Sequence, residues 1–190
     1  MTRSIALPRV RASAALVLGT AVLLFATSGE VGRSGTTPGT TPAACYAPLT
    51  YPGASASRAV LAQWMGAAAR AAGLPPELPV MAALVDSGLR NRPARGTADS
   101  VGFFQMRVSI WNAGEYRGFP TKPQLQMKWF IDHAIAAKVQ RLARGAGAST
   151  ADPSSWGEWI ADVERPAEQL RGRYQLRLEE ARNLLRAPTP

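Results

Sequence analysis

Cys45 is the only cysteine in the chain, so no disulfide within one copy can staple the fold, and stability has to come from a packed core. His133 is the only histidine, and no Cys/His/Asp cluster stands at ligand spacing. The usual marks of a metal centre are therefore missing, and no cofactor is expected. No glycine-rich phosphate loop and no Ser/His/Asp arrangement occurs either, which removes the common signatures of nucleotide binding and serine hydrolysis. Lysine is scarce: 19 of the 22 basic residues are Arg, against 13 acids, for a net charge of +9. A positive surface favours anionic partners such as cell-wall polymers, nucleic acid or phospholipid. The arginines are scattered without the interleaved aromatics of a nucleic-acid surface, so no nucleic acid is expected as a partner.

Long apolar runs are also absent. The most apolar stretch, Ala14 to Ala26, has 13 residues, short of the roughly 20 that span a bilayer. Preceded by Arg3, Arg9 and Arg11 and followed by the small residues Ala26-Thr27-Ser28, it reads as a cleaved export signal over residues 1–28. Its removal lowers the net charge from +9 to +6; if retained, it would anchor the chain. No membrane contact beyond this segment is expected. Residues 29–56, rich in Gly, Ser, Thr and Pro, read as a flexible linker. Cys45 lies inside it, with Pro42 where a lipidation signal would carry an aliphatic residue, so lipidation is not expected.

What the chain does have is a helical period. Ser57 is a suitable N-cap for a first helix with Ala59, Val60, Trp64, Met65, Ala68 and Ala72 in one stripe and Gly73 as its stop. Leu78 to Val85 is almost entirely apolar, the pattern of a helix surrounded by protein. Pro79 is tolerated in its first turn, and Glu77 at its start has a structural reason to be there. Asp86 is the first charge after the run. At a helix C-terminus and among apolar neighbours, its ionised form is disfavoured, so it is a candidate proton-holding acid. Read blandly, it is an exposed residue marking where the helix ends.

The segment VMAALVDSGLRN, followed after a short connection by DSVGFFQMR, resembles the first two motifs of the lysozyme-like lytic transglycosylase superfamily. There a buried helix ends in Glu-Ser and a Gly-Leu-Met-Gln-type turn follows. The nearest flavour is the actinobacterial and phage-associated branch, and the resemblance runs from about Ala59 to Leu185. It implies a mainly α, single lysozyme-like helical domain over residues 57–187, with one short hairpin near 100–110. It further implies that Asp86, where the family carries Glu, is the catalytic acid and base. Ser87 and Tyr174 would then stand near substrate, and the turn would present Gly102, Phe104 and Gln105 to it. The Gln105 amide can both donate and accept, which suits sugar hydroxyls and acetamido groups. Gly102 would let the backbone approach a sugar. The plain reading keeps Phe103, Phe104 and Met106 as core and turns Gln105 to solvent.

Downstream, WNAGEY over 111–116 has a local likeness to a later family motif but arrives too soon for the family order. Trp111 and Tyr116 could still stack on sugar rings, and Glu115 is a candidate second carboxylate. The longest helix is predicted over 124–143, with Met127, Ile131, Ile135, Val139 and Leu142 as a core stripe and His133 off it at the surface. Asp152 caps a helix burying Trp156, Trp159, Ile160 and Val163, and Pro166 opens a last helix with Leu170, Tyr174, Leu178, Ala181 and Leu185 in line.

These features converge on an exported, secreted or envelope-associated, monomeric domain whose partner is the glycan strand of peptidoglycan. By resemblance, Asp86 would protonate the glycosidic oxygen between N-acetylmuramic acid and N-acetylglucosamine. The muramic 6-hydroxyl would then close an anhydro ring, chemistry that needs one acid where a hydrolase needs two. Asp is one methylene shorter than Glu, so the alternative is an inert lysozyme-like module. Such a module would bind cell-wall glycan or serve as a structural part of a secretion, conjugation or phage-tail assembly.

Overall fold

The structure is a computed structural model that describes residues 50–94 and 99–188; the expected export signal, most of the expected linker, and Cys45 lie outside the described residues. The chain is mainly α-helical, with one two-stranded hairpin. Helix α1, Arg58–Ala71, starts where Ser57 Oγ accepts the Val60 N–H at 3.2 Å, as its capping chemistry requires. Helix α2, Glu77–Asp86, is buried from Leu78 through Leu84. Its all-round apolar surface has a direct cause in the tertiary structure, because α1, α4 (Pro123–Ala143), α6 (Trp156–Glu164) and α7 (Leu178–Arg186) all pack against it. Glu77, in the first turn of α2, faces Arg182 of α7 at 3.8 Å.

Between α2 and α4 the chain makes a hairpin of β1, Ser100–Val101, and β2, Met106–Arg107, in antiparallel register with Ser100 opposite Arg107 and Val101 opposite Met106. A single-turn helix α3, Val108–Trp111, follows. Another, α5 (Ala148–Ala151), stands between α4 and Asp152. Asp152 caps the approach to α6 by accepting the Ser154 N–H at 2.9 Å. The α6 residues Trp156, Trp159, Ile160 and Val163 are buried, in keeping with their spacing.

Three sequence expectations give way to the packing. Residues 50–56 are not all linker, since the Tyr51 ring meets Trp64 at 5.3 Å and Phe103 at 6.2 Å. The stripe on α4 is core only in its first half. Met127, Phe130, Ile131, Ala134 and Ala137 are buried, whereas Ile135, Val139 and Leu142 are exposed. A 21-residue helix is roughly 31 Å long and outruns the elements stacked on it. Finally, no continuous helix runs from Pro166. Residues Glu168–Arg173 and Gln175–Arg177 form tight 3-10 turns ahead of α7. Gln175 fastens this segment to α6, accepting the Gly157 N–H at 2.7 Å and donating to Pro153 O at 3.1 Å. Arg171 adds ion pairs to Glu158 at 2.8 Å and Asp162 at 2.7 Å.

Candidate active site

Helix α2 ends in a tightly held turn. The Ser87 N–H and Oγ–H both donate to Ala83 O, at 3.1 and 2.9 Å, and the Leu89 N–H reaches the same carbonyl at 2.8 Å. Ser87 is 1% exposed and its hydroxyl is spent on this cap, so it cannot offer the substrate contact expected of it. The turn nevertheless fixes where Asp86 points.

The Asp86 carboxyl is enclosed. Tyr174 donates its hydroxyl to Oδ1 at 3.3 Å, and Oδ2 is sealed from solvent with no partner. Burial pushes its pKa up from the ordinary 3.8 to about 7, against smaller opposing effects of the Tyr174 hydrogen bond and the Arg173 charge. Tyr174 is 3% exposed and belongs to this centre. Burial and the nearby Asp86 and Glu164 carboxyls hold its phenol protonated.

The second acid is Glu164, the last residue of α6, which the sequence did not single out. Burial and then the Asp86 charge hold its carboxyl well above the ordinary value, and its Oε1 is sealed without a partner. Two carboxyls so placed are not both ionised at neutral pH, because each would bury a charge beside a like charge. Glu158 and Asp162 interrupt α6 ahead of Glu164, so no unbroken apolar run singles it out as one does Asp86. Glu115, the candidate read from sequence, instead lies exposed and paired with Lys128 at 2.8 Å. That ammonium lowers its pKa first through its hydrogen bond and then through its charge.

Glu164 borders a cleft of about 370 Å³, within the size range of small-ligand sites. The hairpin side contributes Phe104, Gln105, Met106 and Arg107; α3 contributes Ile110 and Trp111; α4 contributes Trp129 and His133. Trp111, Trp129 and His133 form an aromatic wall, with ring centres 4.7 to 5.3 Å apart. His133 is thus half-buried in the cleft, contrary to the surface position expected. Its Nδ1–H donates to Trp129 O at 2.8 Å, leaving Nε2 as the free ring nitrogen. The Trp129 Nε1–H, sealed from bulk water, has no acceptor. A buried unpaired donor carries a cost to the fold. Asp86 itself is not part of this wall.

Of the turn residues, Gln105 and Phe104 reach the cleft, Phe104 mostly as the 3% exposed base under it, stacked on Phe130 at 4.8 Å. Gln105 has φ 47° and donates Nε2 to Gly102 O at 2.9 Å, so its amide oxygen remains to accept. Gly102 does not face a sugar. It is buried at φ 88°, and a Cβ there would stand 2.3 Å from Gln126 Oε1. The glycine is required by that close approach and by the left-handed backbone. Tyr116 is also displaced from its expected role: it is 9% exposed, edge-on to Trp111, and donates its hydroxyl to Asp132 Oδ2 at 2.9 Å. It buttresses the wall from behind.

Gln126 is the hidden fastening of the turn. Its Oε1 accepts the Phe103 N–H at 2.9 Å, and its Nε2 donates to Asn91 Oδ1 and Phe119 O, both at 3.1 Å. Gln126→Leu is expected to destabilise the fold by about 1–3 kcal/mol, the cost of orphaning buried polar groups. A urea unfolding midpoint that does not move would contradict this account.

A second cavity of about 400 Å³, lined by Tyr51, Arg58, Leu61, Leu89 and Arg90 among others, contains none of the unpaired buried polar atoms found among the described residues. The acidic pair and the aromatic wall therefore mark the first cleft as the chemically equipped one. Among the described residues no group of three or more His, Cys, Asp or Glu could hold a metal ion. Comparison with protein-family models, curated proteins and solved structures gives no match to the chain.

Proposed function

We propose that the domain cleaves the glycan strands of peptidoglycan, with the Asp86–Glu164 centre as its proton donor and acceptor. The observation that carries this reading is a pair of buried carboxyls with pKa values raised by their surroundings, one of which, Glu164, borders an aromatic-walled cleft. A general acid for glycoside cleavage has to keep its proton at the working pH, and the desolvation around Asp86 and Glu164 does this. Trp111 offers a flat apolar face to a pyranose ring. Gln105 offers an amide oxygen as acceptor for its polar substituents.

The reaction follows from those parts. A carboxyl proton moves to the glycosidic oxygen as the C–O bond breaks, and the leaving sugar departs as an alcohol. A hydroxyl of the sugar that retains the electron-poor anomeric carbon, or water, then adds to that carbon and returns its proton to the carboxylate. Motif resemblance to the lytic transglycosylases favours the internal hydroxyl and an anhydro product. Mass spectrometry of material released from purified sacculi tests the proposal. The wild type is expected to release muropeptides, and Asp86→Asn/Glu164→Gln to release at least about 100-fold less, the low end of general-acid contributions. Binding of sacculi by the wild type without any release would instead identify an inert glycan-binding module.

A further inference from the structure

Within that reading, we propose that Glu164 is the catalytic residue that hands the proton to the substrate, and that Asp86 is a positioning residue that sets the proton affinity of Glu164 from behind. The two acids are not equivalent in space. Glu164 borders the cleft together with Val163 and Arg165, whereas Asp86 forms no part of its wall. Asp86 Oδ1 receives the Tyr174 hydroxyl and Oδ2 is sealed. Glu164 Oε1 is sealed as well, and among the described residues no hydrogen bond or ion pair engages its carboxyl, so Oε2 is the oxygen left to face the cleft that Glu164 lines.

The backbone supports the same assignment. Arg165, immediately after Glu164, takes a left-handed conformation at φ 50° and closes α6 by donating its N–H to Ala161 O at 3.0 Å. Glu164 is thereby held in the last helical turn, facing the C-terminal end of the helix dipole, which further disfavours its anion. The groups facing the pair are Asp86 from α2, Tyr174 and Arg173 from the segment before α7, and His133 across the cleft from α4; Arg107 and Arg165 stand on its rim. Asp86 is the one that raises Glu164 by like charge. The like charge of Asp86 keeps Glu164 in its acid form at neutral pH.

The proton balance is simple. Glu164 O–H breaks as the proton passes to the glycosidic oxygen, which keeps the electron pair of its broken bond to the anomeric carbon. The nucleophilic hydroxyl, from the sugar or from water, returns one proton to the Glu164 carboxylate. Asp86 undergoes no bond change with the substrate.

Single variants assayed for muropeptide release across pH 4.5 to 8.5 separate the roles. Glu164→Gln is expected to lose at least about 100-fold at every pH, and Glu164→Asp, which keeps the acid but withdraws it, to lose at least about tenfold. Asp86→Asn is expected to move the loss of activity with rising pH to a lower pH than in the wild type, because Glu164 no longer has a like charge beside it. The titration of Glu164, followed by carboxyl 13C NMR, should move down in the same variant. Full turnover by both Glu164 variants, or an unmoved Glu164 titration in Asp86→Asn, would overturn the assignment and leave the glycan-cleaving reading standing. An inactive wild type would bring down that reading, and this assignment with it.

Discussion

At pH 8, Asp86→Asn/Glu164→Gln is expected to melt about 5–10 °C above the wild type, and at pH 4.5 the advantage should disappear. Both carboxyls have folded-state pKa values raised above those of the unfolded chain. Below about pH 4 both states are protonated, and the pair costs the fold nothing in charge. As pH rises toward 7 the unfolded chain releases these protons freely while the folded one must keep them or bury charge, so stability is lost through that interval. Moving Asp86 from 3.8 to about 7 is worth at most about 4 kcal/mol at 1.4 kcal/mol per unit. Recovering part of that produces a shift of the stated size in a domain of this length. Amides carry no such pH dependence. Thermal melts of both proteins at three pH values make the comparison, and parallel curves would show that these carboxyls are not buried as described. The same variant is the one expected to abolish glycan cleavage, so stability gained and activity lost would come from one pair of atoms.

Trp159→Ala is expected to cost about 3–5 kcal/mol, the largest loss for any single aromatic in the domain. Trp159 is 1% exposed and donates Nε1 to Ala134 O at 3.0 Å, so it both fills the space between α4 and α6 and ties their backbones. Since α6 ends in Glu164 and α4 carries Trp129 and His133, the same contact sets the width of the cleft. Trp111→Ala makes the useful contrast. Its ring is half-exposed on the cleft wall, so it is expected to weaken glycan binding far more than folding. Urea unfolding, with the slope checked for constancy, and binding to sacculi distinguish the two. A Trp159→Ala protein with a midpoint near that of the wild type would show that α4 and α6 do not depend on this residue.

How far the site was legible depended on how local its causes are. The acid at the end of α2 announced itself through an apolar run that stops at a charge, and the turn carrying Phe104 and Gln105 through a compact glycine-containing motif. Glu164 had no such mark, because its burial comes from α2 and the turns before α7, more than seventy residues away from Asp86 in the chain. His133 was misplaced for a related reason. A helical wheel says which face a residue is on, but α3 and Trp111 make that face a cleft wall. Ser87 and Gly102 were read as ligand contacts from motif resemblance, and the structure spends them on a helix cap and on the approach of Gln126.

By itself the sequence determined the helical class, the Ser57 cap, the all-apolar α2 and the buried face of α6. Each follows from hydrophobic spacing and capping chemistry acting over a few residues. Only the tertiary structure decided that the second half of α4 stays exposed, that the chain after Pro166 breaks into tight turns, and that Glu164 meets Asp86. Those outcomes depend on which distant surfaces run out, which backbones are tied by Gln175 and Arg171, and which carboxyls end up sharing one desolvated space. No local pattern carries that information.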